Sequence, residues 1–156
     1  GRGPRCGAGL GSLLSSAKRL ASLDLHWNSL HGEAAHTLLC GLYENGVERG
    51  GRLRRLNLAW NRLGSGSHVE PARRRDARES AKLLSDVFRD GGVLFHLDVS
   101  YNSFSAEDCS VLAGGLQANH SLFGLHLVGN EAAVDALGFV IPLRRALHEQ
   151  PAGPGD

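Results

Sequence analysis

The sequence predicts a mixed α/β fold in which four short parallel strands alternate with helices. A pattern of leucines and one asparagine recurs four times, and the stretches between its copies carry apolar residues at helical spacing. A length of 156 residues corresponds to one domain. With 42% hydrophobic residues, 21% charged residues and a net charge of +1, the composition is that of a globular protein and argues against a basic nucleic-acid-binding protein.

Four segments of the chain share the repeated pattern. They run over residues 20–30, 53–63, 94–104 and 122–132, with bulky apolar residues at the first, fourth, sixth and eleventh positions, where Ala132 is the one weak match. The ninth position is always an asparagine, as in Asn28, Asn61, Asn102 and Asn130. A side-chain amide offers donors and an acceptor to a buried turn, so we predict that these asparagines form a structural ladder rather than a catalytic set.

The pattern L-x-x-L-x-L-x-x-N-x-L resembles the leucine-rich repeat. The asparagines are spaced by 33, 41 and 28 residues, and the shortest spacing is similar to the long, ribonuclease-inhibitor-like subtype with a strand and a helix in each unit. The resemblance implies a right-handed β/α solenoid, a horseshoe arc with the parallel strands on the concave face and the helices on the convex face. It also implies that function lies in surface contacts with other proteins.

The stretches outside the strands predict the helices. Apolar stripes run from Leu10 to Ala17, from Ala35 to Leu42, from Ala81 to Phe88 and from Cys109 to Leu116. Asn45-Gly46 and Asp90-Gly91-Gly92 are expected to end the second and third helices, and Ser105 with Asp108 resembles a capping box that starts the fourth. A last helix is expected near Ala132, with Val134 and Leu137 inward, and Pro142 is expected to interrupt it or start another towards Leu147.

The boundaries follow from composition. We expect a flexible segment over 1–9, a repeat domain over 10–150 and a flexible tail over 151–156. A polar insertion over 64–77, rich in Gly and Ser and containing Pro71, is expected to form a loop. Both ends of the sheet need shielding, which the helix at 10–19 and the segment 134–147 are expected to supply. The missing methionine favours a piece of a longer array.

The outward-facing strand positions are the candidates for partner binding. They are Asp24, His26, Arg55, Asn57, His96, Asp98 and His126. The residue before each ladder asparagine is aromatic in three units, Trp27, Trp60 and Tyr101, and is Gly129 in the fourth. Aromatic residues with a polar handle are favoured interface anchors. The alternative is that they pack over the strand ends. A histidine near Asp24 or Asp98 would make binding sensitive to pH.

No motif for catalysis, a cofactor or a metal ion is found in the sequence. The eight histidines form no H-x-x-x-H or H-E-x-x-H spacing, and Gly64-Ser-Gly-Ser67 lacks the lysine of a phosphate-binding loop. The three cysteines form no C-x-x-C pair, so we expect free thiols in a reducing compartment and a cytoplasmic protein. No apolar run approaches the length of a membrane span. The run Arg73-Arg74-Arg75 has acidic neighbours and is expected in a solvated loop or at the start of a helix, with contact to phosphate or to an acidic protein surface as the alternative.

These observations lead to a non-catalytic protein–protein interaction scaffold as the main hypothesis. The chain would be a fragment or subunit of a larger assembly, with an axonemal, ciliary or cytoskeletal setting favoured. The partner is expected to be a protein, and we expect no nucleic acid, membrane or small-molecule substrate. The alternatives are a regulator of an enzyme or GTPase, similar to Ran GTPase-activating protein or ribonuclease inhibitor, and the sensing segment of an innate immune receptor.

Overall fold

The computed structural model describes residues 3–143, with side chains from residue 9 to residue 143. Helices and strands alternate in this range, which confirms the α/β class. The helices are α1 (Gly3–Ser16), α2 (Gly32–Tyr43), α3 (Pro71–Asp90) and α4 (Ala106–Leu116). The strands are β1 (Ser22–Asp24), β2 (Arg55–Asn57), β3 (His96–Asp98), β4 (Gly124–His126), β5 (Ala132–Val134) and β6 (Val140–Pro142).

The first four strands form one parallel sheet in the order β1-β2-β3-β4. Leu23, Leu56, Leu97 and Leu125 lie opposite one another in the register. Alternate residues of a strand point to opposite faces, so the leucines of the pattern face the helices and the intervening residues face solvent. Leu56 and Leu97 are buried, whereas Leu23 and Leu125 in the edge strands are half-buried.

The core lies between the sheet and the helices. Its fully buried side chains include Leu14, Leu38, Leu39, Leu58, Leu63, Leu84, Phe88, Leu97, Val99, Phe104 and Leu112. Each helix packs against the next along the chain, α1 on α2, α2 on α3 and α3 on α4. The predicted capping box is confirmed: the Ser105 hydroxyl accepts from the Asp108 N–H at 3.1 Å, and Asp108 Oδ2 accepts from the Ser105 N–H at 3.0 Å.

Helix α2 does not end at Asn45-Gly46 as predicted but continues as one π-helical segment, Glu44–Glu48. Asn45 is buried there, and its Nδ2 donates to the Leu14 carbonyl at 2.8 Å. The amide thus serves the C-terminal end of α1 instead of ending its own helix. Residues 3–9, predicted as a flexible segment, belong to α1.

The predicted loop over 64–77 is wrong in its second half. Helix α3 begins at Pro71, because proline fits the first turn of a helix, where its missing N–H costs nothing. The first half of the insertion does not project into solvent, because Gly64, Ser65 and Gly66 are buried. The Ser65 N–H and hydroxyl donate to Asp108 Oδ2 at 2.6 and 2.8 Å. This fixes the insertion to the start of α4.

The last predicted helix is replaced by an antiparallel hairpin, in which Val134 pairs with Val140. Asp135 Oδ1 accepts from the N–H groups of Leu137 and Phe139, both at 2.9 Å, which closes the turn locally. Val134 and Leu137 are 61% and 81% exposed, so the expectation that both point inward is wrong. The prediction was wrong because the three-residue spacing of Val134 and Leu137 is also found on a helix face. The β-branched residues and Gly138, with φ of +87°, favour a hairpin.

The remainder of the predicted end segment, up to Leu147, and the predicted tail over 151–156 lie outside the described residues. Within residues 3–143, none of the helices has the length and apolar character needed to cross a bilayer.

Truncation of Leu58 to alanine tests the position of the core. Leu58 is fully buried, so Leu58→Ala is expected to lower the free energy of unfolding by about 2–5 kcal/mol in chemical denaturation. The matched control is Leu137→Ala on the exposed hairpin tip, which is expected to change it by less than about 0.5 kcal/mol. Equal effects of the two substitutions would contradict the described core.

Candidate partner-binding surface

From the second unit onward, the asparagine of each unit holds the turn of the unit before it. Asn61 Oδ1 accepts from the N–H groups of Leu30 at 2.9 Å and of Asn28 at 3.2 Å. Its Nδ2 donates to the carbonyl of Leu25 at 3.0 Å and to that of Leu58 at 2.9 Å. One side chain therefore bridges four backbone groups from two neighbouring units at the point where both strands end.

The same arrangement continues through the third and fourth units. Asn102, which is fully buried, donates to the Leu58 and Val99 carbonyls at 2.8 and 3.1 Å. Asn130 Oδ1 accepts from Phe104 N–H at 3.0 Å and from Asn102 N–H at 3.1 Å. Asn28 in the first unit is exposed, and its Nδ2 donates to the His26 carbonyl of its own turn at 3.0 Å. The ladder thus has a direction, from each unit back to the one before.

Three aromatic rings stack beside this ladder, and we call Trp27, Trp60 and Tyr101 the aromatic column. The Trp27 and Trp60 ring centroids are 4.8 Å apart with planes inclined by 28°, and those of Trp60 and Tyr101 are 4.1 Å apart with planes inclined by 15°. The backbone N–H groups of these three residues donate to backbone carbonyls of the next unit, those of Ala59, Ser100 and Val128, at 2.9, 2.9 and 2.7 Å. These backbone hydrogen bonds continue the pairing of the parallel strands beyond the strand ends, and they anchor the aromatic column.

The backbone at the aromatic column is left-handed. Trp27, Trp60 and Tyr101 have φ values of +59°, +58° and +54°. This conformation costs a residue with a Cβ about 1–2 kcal/mol, whereas a stacked aromatic pair contributes about 0.5–1.5 kcal/mol. Gly129, with φ of +78°, holds the equivalent place in the fourth unit, and a Cβ there would overlap the Tyr101 ring. Since three residues bear the cost of the left-handed backbone and form only two stacked pairs, stacking alone does not offset it.

A cavity of about 720 Å³ opens beside the aromatic column, towards the start of α3. Its lining includes all three column residues and the polar side chains His31, Arg62, His68, Glu70 and Arg73. The Arg73 guanidinium lies 3.6 Å from the Glu70 carboxylate, and His68 Nε2 lies 2.6 Å from the Ser103 hydroxyl. The surface beside the column is thus recessed and offers several donors.

The arginine run is divided between this cavity and the insertion. Arg74 donates to the carbonyls of Val69 and Ser67 at 3.0 and 3.1 Å. The run lies in the first turns of α3, which agrees with a helix start, one of the two placements predicted for it.

The acidic and amide residues on the exposed sheet face also serve their own strands. Asp24, Asn57 and Asp98 accept with Oδ1 from the N–H two residues later, at 3.0, 3.0 and 2.9 Å. His26 Nδ1 lies 2.8 Å from Asp24 Oδ1. The hydrogen bond from the His26 N–H, followed by that from its ring, lowers the pKa of the Asp24 carboxyl. These predicted partner-binding residues are exposed or half-buried, yet part of their bonding capacity is used internally.

The remaining predicted residues lie further along the same face. Arg55 is exposed and pairs in register with His96 on β3. The structure brings His96 to His126 on β4, with their Nε2 atoms 3.1 Å apart. Trp27, in the first unit, is separated from this pair by β2, so the predicted residues form a broad face with an aromatic edge and not one compact cluster.

A second stack lies at the opposite ends of the strands and was missed by the sequence analysis. The Arg54 guanidinium lies 5.4 Å from the Phe95 ring centroid, and the Phe95 and Phe123 centroids are 5.2 Å apart. The sequence does contain a signal for this second stack, because each of the three residues directly precedes the strand of its unit. The contact between His68 and Ser103 was also missed, and no spacing in the sequence indicates it.

Comparisons with known proteins give similarity of fold alone. No protein-family model matches the chain. No curated protein matches it either. A solved structure described as the tropomodulin C-terminal domain of Caenorhabditis elegans is similar, with a TM-score of 0.54 and 11% sequence identity over 80% of this chain. The match covers 65% of that structure, so the chain spans less than two thirds of its length.

These findings correct the family assignment. The prediction that the chain belongs to the leucine-rich repeat family of the ribonuclease-inhibitor-like subtype is wrong, because no family model matches and the similar structure is a tropomodulin domain. The physical reason lies in what the pattern encodes. It specifies a strand and the turn after it, whereas unit spacings of 33 and 41 residues and a closing hairpin depart from that subtype.

Removal of one ladder asparagine tests its structural role. Asn102→Ala leaves buried backbone groups without partners at about 1–3 kcal/mol each, so we expect the free energy of unfolding to fall by at least about 3 kcal/mol. The control is Asn28→Ala at the exposed start of the ladder, expected to cost less than about 1 kcal/mol. Similar losses for both variants in urea unfolding would contradict the directional ladder.

The stability of the protein at alkaline pH is expected to depend on Cys109. Burial, followed by the Asp108 and Glu131 charges, raises the pKa of the Cys109 thiol to about 12, from an ordinary value near 9. Between these values the unfolded thiol loses its proton and the folded thiol keeps it, so the free energy of unfolding is expected to fall as pH rises. Urea unfolding at pH 9 to 11 should show a shallower fall for Cys109→Ala, and equal slopes would contradict the buried neutral thiol.

Proposed function

We propose that this chain is a non-catalytic protein-interaction module that binds its partner through the aromatic column and the adjoining cavity. One observation carries the proposal. Three units place an aromatic side chain at a left-handed turn position where glycine is free of strain, as in Gly129 of the fourth unit. Backbone strain of this kind is concentrated at functional sites.

The exposure of the column supports the same proposal. Trp27, Trp60 and Tyr101 are 67%, 46% and 41% exposed, so a partner would remove much apolar ring surface from water. Tryptophan and tyrosine dominate the residues that contribute most to protein–protein affinity. The rings are stacked on one another and anchored by the strand-end hydrogen bonds, which reduces the conformational entropy lost on binding.

A catalytic role has less support than a binding role. The close contact of Ser103 Oγ with His68 Nε2 brings a hydroxyl to a base. A hydrolytic site also needs a group that orients the histidine, and among the described side chains, residues 9–143, none is hydrogen-bonded to His68 Nδ1. We therefore propose that the contact between His68 and Ser103 fixes the insertion over 64–77 against the turn that follows β3.

We further propose that the four units form part of a right-handed arc within a larger cytoplasmic assembly. The regular parallel register from β1 to β4 supports the arc. We also propose a cytoskeletal setting for this assembly. The tropomodulin domain supports this setting only through the similarity of its fold. The comparisons add no support for a ciliary setting.

Replacement of Trp27 tests the proposed surface. Trp27 lies at the outer end of the column, so Trp27→Gly removes a ring and relieves a left-handed residue without opening the core. Affinity capture from a cell lysate, read by mass spectrometry, is expected to lose the wild-type partner with Trp27→Gly. The control is Phe123→Ala, which removes an aromatic ring that is 79% exposed and lies outside the column, and which is expected to keep the partner.

The affinity of the identified partner is then measured directly. We expect Trp27→Gly to weaken it by at least tenfold, while circular dichroism shows the variant to be folded. Undiminished affinity of Trp27→Gly, or equal losses for Trp27→Gly and Phe123→Ala, would contradict binding at the aromatic column.

A further inference from the structure

Two histidines that are 30 residues apart in the chain meet on the exposed face of the sheet. The Nε2 atoms of His96 on β3 and His126 on β4 are 3.1 Å apart, and the ring planes are inclined by 56°. His96 is half-buried and His126 is exposed, and both project from a hydrogen-bonded sheet. The pair is diagonal in the register, since His96 pairs with Gly124 and Asp98 pairs with His126.

Gly124 creates the space in which the two rings meet. A Cβ at this position would overlap His96 Cδ2, so any other residue would displace the His96 ring. The backbone φ of Gly124 is not left-handed, so its absence of a side chain, and not its conformational freedom, is what the site uses. The fourth strand thus leaves a gap beside His126 that the His96 ring fills.

The separation of the two Nε2 atoms fits two ligands of one metal ion. With metal–nitrogen distances of about 2.05 Å, a separation of 3.1 Å gives an angle at the metal of about 98°. This lies between the right angle of a square-planar site and the tetrahedral angle, both of which first-row divalent ions adopt with imidazole ligands. The two rings are therefore already close to a chelating arrangement.

We propose that His96 and His126 form a two-imidazole binding site for a divalent transition-metal ion such as Zn²⁺. Among the described side chains, residues 9–143, there is no group of three or more His, Cys, Asp or Glu able to hold a metal ion, so water completes the coordination. Such a site binds less tightly than a closed structural zinc site with four protein ligands. The chain spacing of the two histidines carries no signal, because the sheet brings them together.

Without metal, the pair is held by one Nε2–H that donates to the other Nε2. A bound ion needs the lone pairs of both Nε2 atoms, so the bridging proton moves to Nδ1 of the same ring through solvent. No proton is released when both rings start neutral. The ion takes the place of the shared proton between the two rings.

Titration calorimetry with ZnCl₂ tests the site. The wild type is compared with His96→Gln and His126→Gln, after accessible thiols have been alkylated so that they do not compete for the ion. Each substitution is expected to weaken Zn²⁺ binding by at least tenfold. The matched control is His26→Gln, which removes an exposed histidine that has an aspartate and not a second histidine beside it, and which is expected to leave binding unchanged.

Gly124→Ala gives a second test that keeps both ligands. Its Cβ displaces the His96 ring, so Zn²⁺ is expected to bind at least threefold more weakly, and circular dichroism checks that the sheet is intact. Binding that survives in either His96→Gln or His126→Gln, or that falls equally in His26→Gln, would overturn the proposal. The readout uses the metal alone and does not depend on the partner of the aromatic column.

Discussion

The hydrogen bonds of the asparagine ladder are the interaction on which the rest of this structure depends. Each strand is three residues long, and the chain then turns beside its neighbour while still partly buried. Asn61, Asn102 and Asn130 satisfy the backbone groups of two turns at once, so each unit fixes the end of the unit before it. Leaving such groups unpaired costs about 1–3 kcal/mol each, which is large beside the total stability of a domain.

The turns that the ladder holds also determine what the surface presents. They place Trp27, Trp60 and Tyr101 in left-handed conformations at the strand ends, with their rings stacked and exposed. The exposed face between this edge and the opposite stack of Arg54, Phe95 and Phe123 is polar, and its Asp and Asn side chains serve the strands as well as the solvent. Rigid turns and a pre-positioned aromatic edge suit the recognition of another protein.

Most of the sheet was predictable because its determinants are local. The leucine spacing and the asparagine of each unit specify a strand and a turn, and Ser105 with Asp108 specifies the start of α4. The errors arose where local signals were ambiguous. Pro71 is compatible with both a loop and the first turn of a helix. The spacing of Val134 and Leu137 is compatible with both a helix and a hairpin, and the contacts of Asp135 and the backbone of Gly138 decide for the hairpin.

The candidate surface was predictable only as a set of positions. The pattern put the three aromatic residues in one row, but neither their left-handed backbone nor their stacking follows from spacing. The contacts of Ser65 with Asp108 and of His96 with His126 join residues 43 and 30 positions apart, and they depend on how neighbouring units are aligned. The family subtype was assigned wrongly for a related reason, since a strand-and-turn pattern does not specify the lengths and closing elements between strands.

The central claim is that the aromatic column is maintained for binding and not for stability. A double-mutant cycle with Trp60→Gly and Tyr101→Gly, measured by urea unfolding, tests it most directly, because the coupling free energy isolates the contribution of the stacked pair. We expect a coupling of about 0.5–1.5 kcal/mol, the range of an aromatic pair, and a double variant that still folds cooperatively. A coupling above about 3 kcal/mol would make the column a structural support and would contradict the account.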